Sequence, residues 1–452
     1  MVKNARRWMC AAVVSMAGAC ASIASAQDLT HKAAPQSHPI ILTNATVHTL
    51  SGETIEKGYV YFKDGVITAV GREPMPRIGD ATLEVVDATD MHIYPGMISA
   101  DTQLGLIEFP PVNVTVDTTE AGDVTPEARP ITAVNPDSTL LPVTRANGVL
   151  IVGVMASGGT IPGQVSVMKL DGWTWEEMAI RQSAGIIVNW PNVRPVTAWW
   201  MDRSAEDQLR DIRERLATID ETFKTAKAYH EQRKADASAP ADLRWEAMKG
   251  LFDGSQRLFI TANERDQITS AVTWAGEMGL KVVILGGRDS ADCADLLKRH
   301  DVWVVVDGTF AFPRRDDGPY DDAFTLPARL HTAGVKFCLA GSDRTANERN
   351  LPYNAALAVA HGLELEAGHR AVMRWPAEIL GIGDAYGTLE AGKSATLIVT
   401  DGDPLEVTTN TKMAFIDGRK IDLSTKQTGL AEKYREKYRQ AAKARDPNAR
   451  GK

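Results

Sequence analysis

The sequence predicts a mixed α/β protein: a (β/α)8 TIM-like barrel with a small β-sandwich module assembled from N- and C-terminal segments. Three observations predict it. Short, almost continuous apolar runs alternate with longer amphipathic stretches over about 270 residues, as expected of parallel strands buried on both faces. β-rich segments flank that region on both sides. The chain has 452 residues, too many for one small core.

In order, Lys3, Arg6 and Arg7 precede an uncharged apolar run from Trp8 to Ala24, and Ala24-Ser25-Ala26 offers a small-residue cleavage site. That order reads as a secretory signal peptide over 1–26. Cleavage would leave 452 − 26 = 426 residues in a periplasmic or extracellular protein with no integral membrane span. A lipoprotein attached through Cys20 is the weaker alternative, because Ala17-Gly18-Ala19 lacks the expected leucine. Residues 27–38 read as a flexible leader. Next come β-rich runs: Ile40 to Leu42, Ala45 to Val47, Tyr59 to Phe62, Val66 to Val70 and Leu83 to Asp87. Asp64-Gly65 supplies the positive φ angles of a tight hairpin turn. With 386–425, where Ala395 to Val399 and Met413 to Gly418 again read as strands, segment 39–93 forms the composite β-sandwich.

The barrel is assigned to 94–385. Its strand candidates are Gly96–Ala100, Val149–Val154, Gly185–Asn189, Leu258–Ala262, Lys281–Leu285, Val302–Val306 and Val335–Ala340. An eighth is expected within 307–334 or 186–256. Residues 204–235 and 264–278 read as amphipathic helices, and 426–452 as a charged, solvated C-terminal helix. The run from Gly158 to Gln164 reads either as a backbone-rich loop above the second strand or as a tight turn.

The composition is 44% hydrophobic and 24% charged, with a formal charge of −8. That balance argues against nucleic acid or an anionic membrane as main partner. Two cysteines, Cys293 and Cys338, lie beyond the leader and read as buried thiols rather than a disulfide framework. Trp173-Thr174-Trp175 and Trp199-Trp200 read as packing aromatics, and Arg314 to Asp317 as a solvated loop.

Three stretches point to a family. The run from Asp87 to Ala100, containing Tyr94-Pro95-Gly96, resembles the opening of the barrel in metal-dependent amidohydrolases of the imidazolonepropionase-like group. Pro376 to Ile382 with Gly387 to Val399 is similar to their closing signature, and Gly341-Ser342-Asp343 follows an apolar strand where they carry a catalytic aspartate. The resemblance implies hydrolysis of non-peptide C–N bonds, in cyclic amides or N-acyl compounds, at one or two metals. Zinc in such a site takes imidazole nitrogens and lowers the pKa of bound water to roughly 7. Here the matching positions carry Asp101, Thr102 and Gln103, then Thr261 and Asn263, then Gly286; Asp343 alone keeps the family residue. No lysine stands at 261 to form a bridging carbamate. None of the nine histidines (31, 38, 48, 92, 230, 300, 331, 361, 369) ends a candidate barrel strand, and each reads as a surface or satisfied core histidine.

Two readings stay open. In one, the barrel has lost zinc and the family's catalysis and serves as a binding or partner subunit, for a small molecule or in a hetero-oligomer with an intact amidohydrolase. In the other, Asp101, Gln103, Thr261, Asn263 and Asp343 converge on one barrel mouth. There they hold a hard divalent cation such as calcium, magnesium or manganese, or Asp101 and Asp343 act as a metal-free carboxylate pair.

Overall fold

The computed structural model describes residues 31–74, 78–197, 200–313, 318–341 and 345–445. The expected signal peptide, Trp199, Arg314 to Asp317 and Asp343 lie outside the described residues.

Two sheets organise the chain. The first begins with β1 (Ile40–Val47), β2 (Ile55–Lys63), β3 (Val66–Arg72), β4 (Glu84–Asp87) and β5 (His92–Pro95). The second runs β6 (Met97–Thr102), β7 (Val149–Met155), β8 (Gly163–Lys169), β9 (Ala179–Asn189), β10 (Arg257–Ala262), β11 (Val282–Gly286), β12 (Trp303–Asp307) and β13 (Lys336–Ala340), neighbours in sequence pairing as neighbours in space. The chain then returns to the first sheet with β14 (Leu397–Thr400), β15 (Thr411–Ile416) and β16 (Arg419–Lys420), β14 pairing antiparallel with β5. The expected union of both chain ends in one β module is therefore a single sheet, in the order β16-β15-β14-β5-β1-β2-β3 with β4 beside β1.

The barrel sheet is nearly closed: the Gly341 N–H, just past β13, donates to Ser99 Oγ of β6 at 3.3 Å. The expected eighth strand lies in neither 307–334 nor 186–256. It is β8, which pairs antiparallel with both β7 and β9, so one hairpin interrupts the parallel order. Its turn is the glycine-rich run seen in the sequence. Gly158 and Gly159 both have positive φ, and a Cβ on Gly159 would stand 2.8 Å from the Asp123 carbonyl. Gly163 and Gln164, read as loop, belong to the strand. No residue pattern signals this, because β7 and β8 are buried along almost their whole length, and without helical spacing between them the pair does not look like two barrel units.

Alternate residues fill the barrel interior: Ile98 and Ala100, Val165 and Val167, Phe259, Val283 and Leu285, Trp303 and Val305, Cys338 and Ala340. The opposite faces pack under helices α1 (Ala205–Ala235), α2 (Arg265–Met278) and α3 (Asp322–Thr332). Ser204 caps α1 by accepting the Asp207 N–H at 3.0 Å, and Glu264 and Gln267 form a capping box on α2. Helices α4 (Leu365–Val372) and α5 (Arg374–Ile379) follow the barrel, and α6 (Lys426–Arg445) ends the described chain, exposed along nearly its full length. Cys293 and Cys338 are buried free thiols, as expected. Among the described residues no helix is long and apolar enough to cross a membrane.

Candidate functional site

The C-terminal ends of the barrel strands meet at one mouth, the place where barrel sites are built. Parallel pairing aligns Asn189 with Thr261, Ala262 with Gly286, Gly286 with Val306, and Asp307 with Ala340. Thr261 shares the inner face with Phe259. On β6 simple alternation would turn Thr102 inward after Ile98 and Ala100. A register irregularity between Ser99 and Thr102 breaks that alternation, and the charge of Asp101 acts on the interior Cys338.

Asp101 therefore stands at the centre of a carboxylate group. Burial pushes its carboxyl well above the usual range, and the charges of Asp307 and Glu348 push it the same way. Glu348, in the 3-10 segment Thr345–Asn350, is fully buried between β6 and the end of β13. A Cβ on Gly341 would meet its Oε1 at 2.3 Å, so the glycine is what lets that carboxyl in. Neither oxygen of Glu348 has a hydrogen bond of good geometry among the described residues. Burial raises its pKa to about 7; the Ser99 and Thr102 hydroxyls and the Gly341 N–H nearby offset part of that shift.

On the far side, Asn263 follows β10 and lies against Gly286. Gly286 has φ +89°, and a Cβ there would stand 2.5 Å from Asn263 Oδ1. Asn263, Gly286, Arg288, Asp307 and Asp322 line a cavity of about 130 Å³, with Phe312 and Leu326 on its apolar side. Arg288 is held 3.5 Å from Asp289 and 3.7 Å from Glu264.

The structure thus brings Asp101, Thr261, Asn263 and Gly286 to one mouth. Gln103 follows β6 directly, with Leu106 N–H donating to its backbone carbonyl at 3.0 Å. Asp343 lies outside the described residues. Sequence reasoning missed two members. Asp307 had a signal, being the carboxylate that directly follows the apolar run Val302 to Val306. Glu348 had none, since it sits in an irregular segment without strand or helix spacing. Among the described residues no group of three or more His, Cys, Asp or Glu side chains is arranged to hold a metal ion.

The histidines lie elsewhere. His48, His92 and His369 collect where the β module meets α4, with His48 stacked on Tyr94 at 4.0 Å between ring centres. Burial holds the His48 imidazole down to about 4, with the neighbouring His369 and His92 acting the same way and Asp403 opposing. Treating each histidine singly missed this grouping, because the three are far apart in sequence.

A barrel whose mouth closes the strand ends, joined to a β module drawn from both chain ends, is the architecture of the amidohydrolases. No family model matches the chain. It is 26% identical over 389 residues to an imidazolonepropionase of Mesorhizobium japonicum, covering 77% of this chain and 87% of that one. It is 22% identical over 398 residues to the amidohydrolase tasK of Hapsidospora irregularis, covering 80% of this chain but only 39% of that protein's length. Among solved structures, an amidohydrolase from Thermotoga maritima shares the fold with a TM-score of 0.73 and 24% identity, over 85% of this chain and 99% of the other. The chain is thus similar in sequence to amidohydrolases and shares their fold.

Proposed function

We propose that this chain uses the amidohydrolase barrel to bind a small molecule or a partner rather than for zinc-dependent hydrolysis. The geometry at Gly286 carries the reading. Where relatives would present an imidazole, the backbone lies in the left-handed region and Asn263 occupies the space a side chain would need. The surrounding donors, Asp101, Gln103, Thr261 and Asn263, offer oxygen and amide rather than imidazole, a set that does not suit zinc. The apolar rim supports a binding role: Phe109 and Val114 after β6, and Phe310 and Phe312 after β12, are exposed. A hetero-oligomer with an intact amidohydrolase would cover them.

The test is metal content and turnover of the chain from residue 27 onward, incubated with zinc, manganese and calcium and assayed on cyclic amides and N-acyl amino acids. The reading expects neither metal at the mouth nor turnover. Stoichiometric metal that disappears in Asp101→Ala and Asp343→Ala would overturn it.

One observation favours a second reading, retained hydrolysis without metal. Burial raises the Glu348 carboxyl to about 7 and pushes Asp101 well above the usual carboxylate range, so of the two one carboxylate could take a proton from water while a carboxylic acid gives one to the leaving nitrogen. Turnover abolished by Glu348→Gln in a metal-free preparation would select this reading. Export remains part of the proposal and rests on residues 3–26.

A further inference from the structure

We propose that this chain associates with a second copy of itself, the basic helix α6 of each copy docking on the acidic hairpin beside the barrel mouth of the other. Charge sets up the pairing. Helix α6 holds seven Lys and Arg against two Glu, a balance of +5. Residues 27–425 hold 38 Lys and Arg against 55 Asp and Glu, a balance of −17. Both glutamates are engaged within the helix, Glu432 by Arg435 and Glu436 by Arg439, so the cationic excess is what α6 presents. An acidic body thus carries a basic arm, and the arm does not lie on that body: residues 426–442 are exposed except for the half-buried Ala431. The body of a second copy supplies the opposite charge.

The apolar groups match as well. Leu430, Tyr434 and Tyr438, spaced by four, form one exposed stripe along α6. Helical spacing puts Lys433 and Lys437 on one flank of it and Arg435 and Arg439 on the other. Tyrosine and arginine together are the composition that protein interfaces favour. The complementary surface follows β6. Residues 101–128 carry six carboxylates and no Lys, Arg or His. Within them 106–117 folds back as a hairpin, the Asp117 N–H donating to the Leu106 carbonyl at 2.8 Å and the Glu108 N–H to the Thr115 carbonyl at 3.0 Å. The Thr115 hydroxyl ties the tip by donating to the Phe109 and Val112 carbonyls at 2.9 and 2.8 Å. This ordered hairpin still leaves Phe109, Val112 and Val114 exposed, Val114 at 94%. Acid beside apolar on the hairpin therefore meets base beside apolar on α6. Reciprocal docking makes the contact twice about a two-fold axis. The proposal rests on the reading of this rim as an interaction surface and names a second copy as its occupant.

The experiment is analytical ultracentrifugation of the untagged chain from residue 27 onward. It sediments as a dimer whose affinity falls between about 50 mM and about 500 mM salt. Replacing Tyr434 and Tyr438 by Ser, or Lys433 and Lys437 by Glu, weakens the dimer at least about tenfold. Asp117→Lys with Glu120→Lys does the same from the other side. All six positions are exposed, so the substitutions spare the core. Neither charge-reversed protein pairs with itself, but a mixture of the two pairs again, because acidic α6 then meets a basic hairpin and basic α6 an acidic one. A chain that stays monomeric up to about 100 µM overturns the proposal, since an interface of standard size holds well below that concentration. Dimers indifferent to the α6 substitutions, or charge-reversed proteins that do not pair when mixed, overturn it too. A monomer that instead sediments with anionic phospholipid vesicles gives α6 to a lipid surface and overturns it as well. None of these outcomes bears on metal or turnover at the barrel mouth, so the two readings fail separately.

Discussion

Glu348 binds its proton more tightly in the fold than in the unfolded chain, because burial raises its pKa from 4.5 to about 7. Between those two values the native state holds a proton that the unfolded state has released, so stability falls as pH rises and levels off above about 7. The shift corresponds to a cost on the order of 3 kcal/mol at neutral pH. Glu348→Gln carries no such charge, and its melting temperature relative to the unchanged chain should rise between pH 5 and pH 8. Equal pH slopes in the two proteins would refute the burial of this carboxyl. Gly286 gives a second prediction at this scale. Gly286→Ala should lose about 1–2 kcal/mol from the left-handed backbone alone, plus the clash with Asn263. Urea denaturation of Gly286→Ala and of its double variant with Asn263→Ala separates the two, the second substitution recovering only the clash. Full recovery would mean the backbone angle carries no cost.

At the scale of elements, a buried ion pair helps join the β7–β8 hairpin to the C-terminal strands. Arg145 and Asp171 are essentially inaccessible and 3.4 Å apart, and Arg145 also donates to the Leu170 and Asp422 carbonyls. Arg419 of β16 reaches Asp171 at 3.3 Å. Removing one partner strands a buried cation, so Asp171→Ala should cost about 3–5 kcal/mol. Lys224→Ala, which breaks the exposed 2.6 Å pair with Asp220 on α1, should cost under about 1 kcal/mol. Comparable losses by chemical denaturation would show that the Arg145 pair is not desolvated. The parallel strands were legible because each is a short apolar run; β8 was not, because its partner strand lies only seven residues away and its antiparallel direction depends on the glycine turn.

For the molecule as a whole, the basic and apolar start predicts export. The chain recovered outside the expressing cell should begin at Gln27, which intact-mass measurement checks; a mass that includes Met1 would contradict cleavage at Ala26. The fold was largely readable from the sequence. The opening run at Asp87 to Ala100 and the closing run at Gly387 to Val399 lie nearly 300 residues apart, yet they belong to strands that pair, β5 with β14. The site was only partly readable. Asp101, Thr261, Asn263 and Gly286 were singled out by their match to the family's ligand positions at the ends of apolar runs, whereas Glu348 carries no such local sign.

The sequence by itself determined the alternation of strands and helices and the β character of both flanks. These follow from hydrophobic period and residue type, which are local properties. Only the tertiary structure decided that β8 runs antiparallel, that a register irregularity sets Asp101 beside Cys338, that Asn263 closes the space at Gly286, and that three distant histidines meet. Each depends on which backbone approaches which, and that is set by long-range pairing and packing rather than by any stretch of residues read alone.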